Sequence, residues 1–162
     1  MPAPPVIVNN TPLVALWSLG KLGLLGDLFG TVWLPTAVEA EFLATRSVVR
    51  RQILAESSWL QTISLTDPRH ALTYVGLDQG EAEVLALGVE HGAQLVIMDE
   101  RKGRRYARRL GLSLTGTLGV LLLAKEQGLI TAVAPLLEQL LDEGLYFAPS
   151  LIEQTLRLAQ EA

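Results

Sequence analysis

Asp99 directly follows Leu95-Val96-Ile97-Met98, a continuous apolar run, so its carboxylate stands where a buried strand would end. Two other places deliver polar side chains at a strand end. Asn9-Asn10-Thr11 follows Val6-Ile7-Val8, and Thr115-Gly116-Thr117 follows Leu112-Ser113-Leu114. Glu41 and Glu81 sit on helical stretches from which they can lean into the same crevice. Close carboxylates repel one another, and a hard divalent cation such as Mg²⁺ or Mn²⁺ relieves that repulsion through oxygen ligands. A cation so held can lower the pKa of a water and stabilise charge on a phosphodiester. A thiolate site is excluded because cysteine is absent, and the two histidines, His70 and His91, have no ligand spacing.

Each of these residues also has a plainer reading. Asp78-Gln79-Gly80-Glu81 is patterned like a capping box, in which Glu81 returns to the backbone N–H of Asp78. Glu39 and Glu41 lie two residues apart and cannot share a helix face, so at most one of them reaches a crevice. His91, before Gly92 at a helix C-terminus, reads as a solvent-facing partner of the helix dipole. Trp17, Trp33 and Trp59 form no stacking platform and read as core or interface. Six of the 13 basic residues fall between Arg101 and Arg109. Arg101, Arg105 and Arg108 line one side of that helix, while Tyr106, Ala107 and Leu110 can face the core. This run is either a solvated helix face or a place to hold RNA phosphates.

The elements that must position these groups alternate. Strands are expected at Val6–Val8, Thr31–Leu34, Leu60–Leu65, Leu95–Met98 and Leu112–Thr115. Helices are expected after Asn9, over Leu22–Phe29 up to Gly30, from Pro35-Thr36 through Leu43, and over Val48–Ala55. Further helices are expected from Asp78 to about Glu90, over Gly103–Leu110, Thr117–Lys125, Ala134–Leu141 and Pro149–Ala159. Such alternation argues for βαβ units around a parallel sheet, whose ligands bind outside the carboxyl ends of the strands. The segment between about Ser47 and Tyr74 is the least patterned.

At 162 residues the chain is long enough for one domain with a sizeable core. Hydrophobic residues make up 49% and charged residues 19%, which excludes disorder. Mean hydropathy is +0.33, yet the longest strongly apolar stretch, Leu118 to Ala124, is far short of the roughly 20 residues of a spanning helix. The opening Met-Pro-Ala-Pro-Pro lacks the basic start and apolar run of a leader peptide. No membrane association and a cytoplasmic address are therefore expected, and the surplus hydrophobicity points to an oligomer interface. A formal net charge of −4 disfavours a general nucleic-acid binder, so any such contact must be local. Phosphate-binding and dinucleotide glycine fingerprints are absent. Phosphotransfer on Asp99 is disfavoured too, since no acidic pair ends the first strand.

Five segments in order resemble PIN-like domains: Val8-Asn9-Asn10-Thr11-Pro12-Leu13, Leu34-Pro35-Thr36-Ala37-Val38-Glu39-Ala40-Glu41-Phe42, Gly80-Glu81-Ala82-Glu83, Val96-Ile97-Met98-Asp99 and Gly116-Thr117-Leu118-Gly119-Val120. Together they span roughly residues 6 to 145, within a subgroup of prokaryotic proteins related to toxin–antitoxin nucleases. The resemblance implies a three-layer α/β fold over 1–162, with a central parallel sheet of about five strands flanked by helices. The helices from about 134 would form an appendage. It also implies an Mg²⁺- or Mn²⁺-dependent ribonuclease whose acidic quartet falls on Asn9, Glu41, Glu81 and Asp99. Thr11 and Thr117 would support the ligands, and Glu83 and Glu100 could substitute among them. RNA would lie along Arg101, Arg104, Arg105 and Arg108. A homodimer and a small antitoxin partner are further implications. The departure is Asn9, where family nucleases usually carry Asp. An amide brings an oxygen but no charge, so the alternative is a catalytically impaired module that binds RNA or protein.

Overall fold

The computed structural model describes residues 3–162, so Met1 and Pro2 lie outside the described residues. β1 (Val6–Val8) is buried along its whole length, as expected of three consecutive β-branched residues in a central strand. It is followed by α1 (Asn10–Ser18), α2 (Gly23–Phe29), β2 (Val32–Pro35), α3 (Thr36–Leu43), α4 (Ser47–Glu56) and β3 (Leu60–Ile63). A 3₁₀ turn at Pro68–Thr73 occupies part of the segment that carried little pattern. Then come α5 (Gln79–His91), β4 (Leu95–Ile97), α6 (Arg101–Arg109), β5 (Leu114–Thr115), α7 (Thr117–Glu126), α8 (Ala134–Asp142) and α9 (Pro149–Leu158).

The five strands form one parallel sheet in the order β3-β2-β1-β4-β5, the expected three-layer α/β arrangement. The chain builds outward from β1 to β3 and then crosses back to β4 beside β1. The order therefore reverses at the β1–β4 pair, where open α/β sheets bind ligands. Val8 pairs with Ile97, and the N–H of Asn9 donates to the Ile97 carbonyl at 2.9 Å. Asn9 and Asp99 consequently leave the sheet at neighbouring points on its carboxyl edge.

α3, which carries Glu41, is held at both ends. At its start, Glu83 of α5 accepts from the Ala37 N–H at 3.1 Å and the Thr36 hydroxyl at 3.2 Å. Near its end, Arg50 of α4 donates to the Phe42 carbonyl at 2.8 Å. The Arg50 guanidinium is buried, 4.7 Å from both the Trp17 and the Phe42 ring centres. A cation so placed satisfies a helix-end carbonyl and gains cation–π attraction at once.

Two expectations need correction. Helix α6 starts at Arg101 rather than Gly103, because Gly103 is a packing glycine and not a boundary: a Cβ there would land on the Met98 sulfur. Leu110 is 38% exposed rather than core-facing, since it lies past the last turn of α6. His91 is exposed in the last turn of α5, as expected, and its ring also packs edge-on against Trp33, centres 4.9 Å apart. The apolar helices α7 and α8 place Leu118, Leu121, Leu137 and Leu140 in the core. Among the described residues no single helix is long and apolar enough to cross a membrane.

Arg50→Ala removes a buried charged hydrogen bond and both ring contacts, so it is expected to cost about 3 kcal/mol. Exposed Arg46→Ala should stay within about 0.5 kcal/mol. Urea unfolding followed by far-UV circular dichroism checks both.

Candidate functional site

Asp99 opens from the end of β4 and is half-buried. The Thr117 N–H donates to its Oδ1 at 2.8 Å, and the Thr117 hydroxyl donates to Oδ2. Thr117 is the first residue of α7 and fully buried, so a helix N-terminus and a hydroxyl together fix this carboxylate. Gly116 permits the approach, because a Cβ at that position would collide with Asp99 Oδ1. Arg104 of α6 donates to the Met98 carbonyl at 2.8 Å and lies close to the same carboxylate. Burial and the neighbouring Arg108 draw the Arg104 guanidinium below its usual pKa, and Asp99 works against that shift.

The two oxygens of Glu81 have different surroundings. Its Oε1 accepts from the Asp78 N–H at 3.2 Å while Asp78 accepts from the Glu81 N–H at 2.8 Å, a complete capping box for α5. Its Oε2 is buried and has no hydrogen-bond partner among the described residues. That oxygen lies against Gly103 in α6, 3.5 Å from where a Cβ would be. Burial, then the bond and charge of Asp78, and the charge of Glu100 push the Glu81 carboxyl up to about 7.

Glu41 rests its Oε1 on Gly80 in the first turn of α5, another place where a Cβ would strike a carboxylate. Glu41 is exposed overall, yet burial against α5 and then the Asp78 charge raise its pKa. Glu39, by contrast, bonds the Thr62 hydroxyl on β3, so the two neighbouring acids of α3 face different partners. Asn9 is 5% exposed, and its side chain does not cap α1.

Two groupings emerge. The charge of Asp78 acts on both Glu41 and Glu81, and that of Glu100 on Glu81, whereas Asp99 is grouped with Thr117 and Arg104. Among the described residues no three acids or histidines close into a cluster of the kind that cages a metal ion. Mg²⁺ seldom uses such a cage; it commonly takes one or two carboxylates and completes its shell with waters and phosphates. An unpartnered buried carboxylate oxygen fits a donor of that kind, so the residues suit one hard cation more readily than two.

A cleft of about 910 Å³ begins at Asp99, Glu100 and Thr11. It runs along Arg101, Arg104 and Arg108 of α6 on one side and α9 with Tyr146 on the other. Glu41 and Glu81 are not in its walls, nor is Arg105. Glu83 is engaged at the start of α3. The α9 wall had no signal in the sequence beyond the expected helix over Pro149–Ala159.

A family model described as a PIN domain matches residues 5–161, nearly the whole chain. No curated protein matches it.

Because the Glu81 pKa is raised above its ordinary 4.5, the folded metal-free protein holds a proton there that the unfolded chain releases. Stability should therefore fall as pH rises from about 4.5 to about 7. Thermal unfolding in EDTA should show this slope, and Glu81→Gln should flatten it. An unchanged slope in the variant would contradict the assignment.

Proposed function

The chain belongs to the PIN domain family, a family generally of divalent-metal-dependent nucleases, and on that premise we propose that it is a ribonuclease hydrolysing RNA phosphodiesters, of the kind found as toxins in toxin–antitoxin pairs. The observation that carries this reading is the buried, unpartnered Glu81 Oε2, which lies against Gly103 of α6 close to the Met98 sulfur. A buried carboxylate oxygen without a donor requires a proton or a cation. Glu81 and Asp99 are the residues that would hold Mg²⁺ or Mn²⁺, with Glu41 as a further carboxylate and Asn9 as a neutral oxygen ligand or water-positioning group. Bound there, the ion supplies a water of lowered pKa and neutralises charge building on the phosphate. The protein's own part is positional. Thr117 fixes both oxygens of Asp99, Gly80 and Gly116 let the acids approach the backbone, and Arg104 places a cation beside Asp99. Arg101 and Arg108, exposed along the adjoining cleft, would attract the RNA backbone.

The second reading, an impaired module that binds RNA or a protein, is favoured by Asn9. Where a fourth carboxylate would stand there is a neutral amide.

The nuclease reading expects Mn²⁺-dependent cleavage of unstructured RNA that is lost in Asp99→Ala and in EDTA. Thr117→Val should lower it about 10- to 100-fold by releasing Asp99. Full activity of Asp99→Ala would overturn the assignment. Asn9→Asp should tighten Mn²⁺ binding in calorimetry. If neither the natural protein nor Asn9→Asp binds Mn²⁺, the second reading stands.

A further inference from the structure

Trp17 of α1 has two guanidinium groups against its ring. Arg50 Cζ lies 4.7 Å and Arg46 Cζ 5.7 Å from the ring centre. Arg50 is 7% exposed, its Nη1 donates to the Phe42 carbonyl, and its Nε is buried with no hydrogen-bond partner among the described residues. Arg46 is exposed. Among the described residues neither arginine is paired with a carboxylate. Burial, then the like charge of Arg46, draw the Arg50 guanidinium below its usual pKa. Arg46 also opens α4, and that helix start has neither a side-chain cap nor an acid in its first turn. Helix starts attract negative charge. The Arg46 backbone is left-handed (φ 48°), which favours glycine or asparagine, so the turn itself does not call for an arginine. Residues 46–50 thus bring two full charges and the positive end of a helix beside one indole.

We propose that Arg46, Arg50 and the start of α4 form a binding site for a dianionic phosphate group, taken as inorganic phosphate or as a small phosphomonoester. The site does not depend on the nuclease reading, and none of Trp17, Phe42, Arg46 and Arg50 lines the cleft beside Asp99. Guanidinium groups offer paired N–H donors that match phosphate oxygens. A carboxylate brings one charge and would leave one arginine unbalanced, whereas a phosphomonoester brings close to two at neutral pH. The bare Nε marks a shortage of acceptors around a buried cation, which a bound anion relieves. Arg50 is already pinned by the Phe42 carbonyl and two rings, so it loses little freedom on binding. Exposed Arg46 is the part free to close over the ion.

The test is titration of the full chain with inorganic phosphate at constant ionic strength, read by calorimetry and by tryptophan fluorescence. EDTA is present throughout, so that phosphate does not bind through a divalent ion at the acids. The natural protein should bind phosphate and bind acetate at least about ten-fold more weakly, the difference one charge-assisted contact makes. Arg46→Ala should weaken phosphate binding about ten-fold. Arg51→Ala, which removes the same charge from another exposed position of α4, should bind as the natural protein does. Trp17→Phe should keep the calorimetric binding and lose the fluorescence change. Circular dichroism confirms that each variant stays folded. Glycerol 3-phosphate distinguishes the two sources: equal or tighter binding than the free ion assigns a phosphomonoester, weaker binding assigns inorganic phosphate, and both uphold the site. No binding by the natural protein, equal binding of acetate, unchanged affinity in Arg46→Ala, equal weakening in Arg51→Ala, or a fluorescence change that survives Trp17→Phe would overturn the inference.

Discussion

The pairing of β1 with β4 governs nearly everything else in this molecule. These strands are adjacent in the sheet although the whole β2–β3 half of the fold separates them along the chain. Their register, Val8 against Ile97 with the Asn9 N–H continuing the ladder, sets two side chains side by side at the carboxyl edge. Because side chains alternate in direction along a strand, a slip of one residue would turn this end of β4 over and bury the carboxylate. The completely buried residues of both strands forbid that slip. Core packing here thus serves as the positioning device for a polar group.

Glu81 divides its carboxylate between a structural role and an unpartnered buried oxygen. One carboxylate oxygen completes a capping box, a service worth about 1 kcal/mol to the helix. The other is left bare in a buried place. The cap orients the side chain, and that orientation keeps the second oxygen from swinging to water. A weak local interaction therefore maintains an arrangement that is unfavourable by itself.

Much of this was legible from residue order. Apolar runs ending in polar groups located four of the five strands closely, and the family resemblance set Thr117 beside Asp99, where the structure has it donating to that carboxylate. Gly103 was misread because a glycine inside a helix and a glycine at its boundary look alike until the partner, here Met98, is known. Glu83 shared a motif with Glu81, yet the following turn of α5 carries it to the start of α3. The α9 wall of the cleft was invisible for a different reason. Tyr146 lies far along the chain from Arg101, and nothing in the periodicity of either helix states that they flank one space. Local pattern encodes which face is apolar, while only tertiary packing decides what that face meets.

The glycines at 80, 103 and 116 have a consequence for how such a site could decay. Each leaves room, respectively, for Glu41, for Met98 with the bare oxygen of Glu81 close by, and for Asp99. A descendant could keep every acid and still lose its chemistry through one added methyl group, which would shove a carboxylate aside without altering the formal charge. Tallying acids would score such a chain as intact. Vacant volume behind the ligands is as much a part of the inheritance as the ligands, and its loss leaves no mark on the charge pattern.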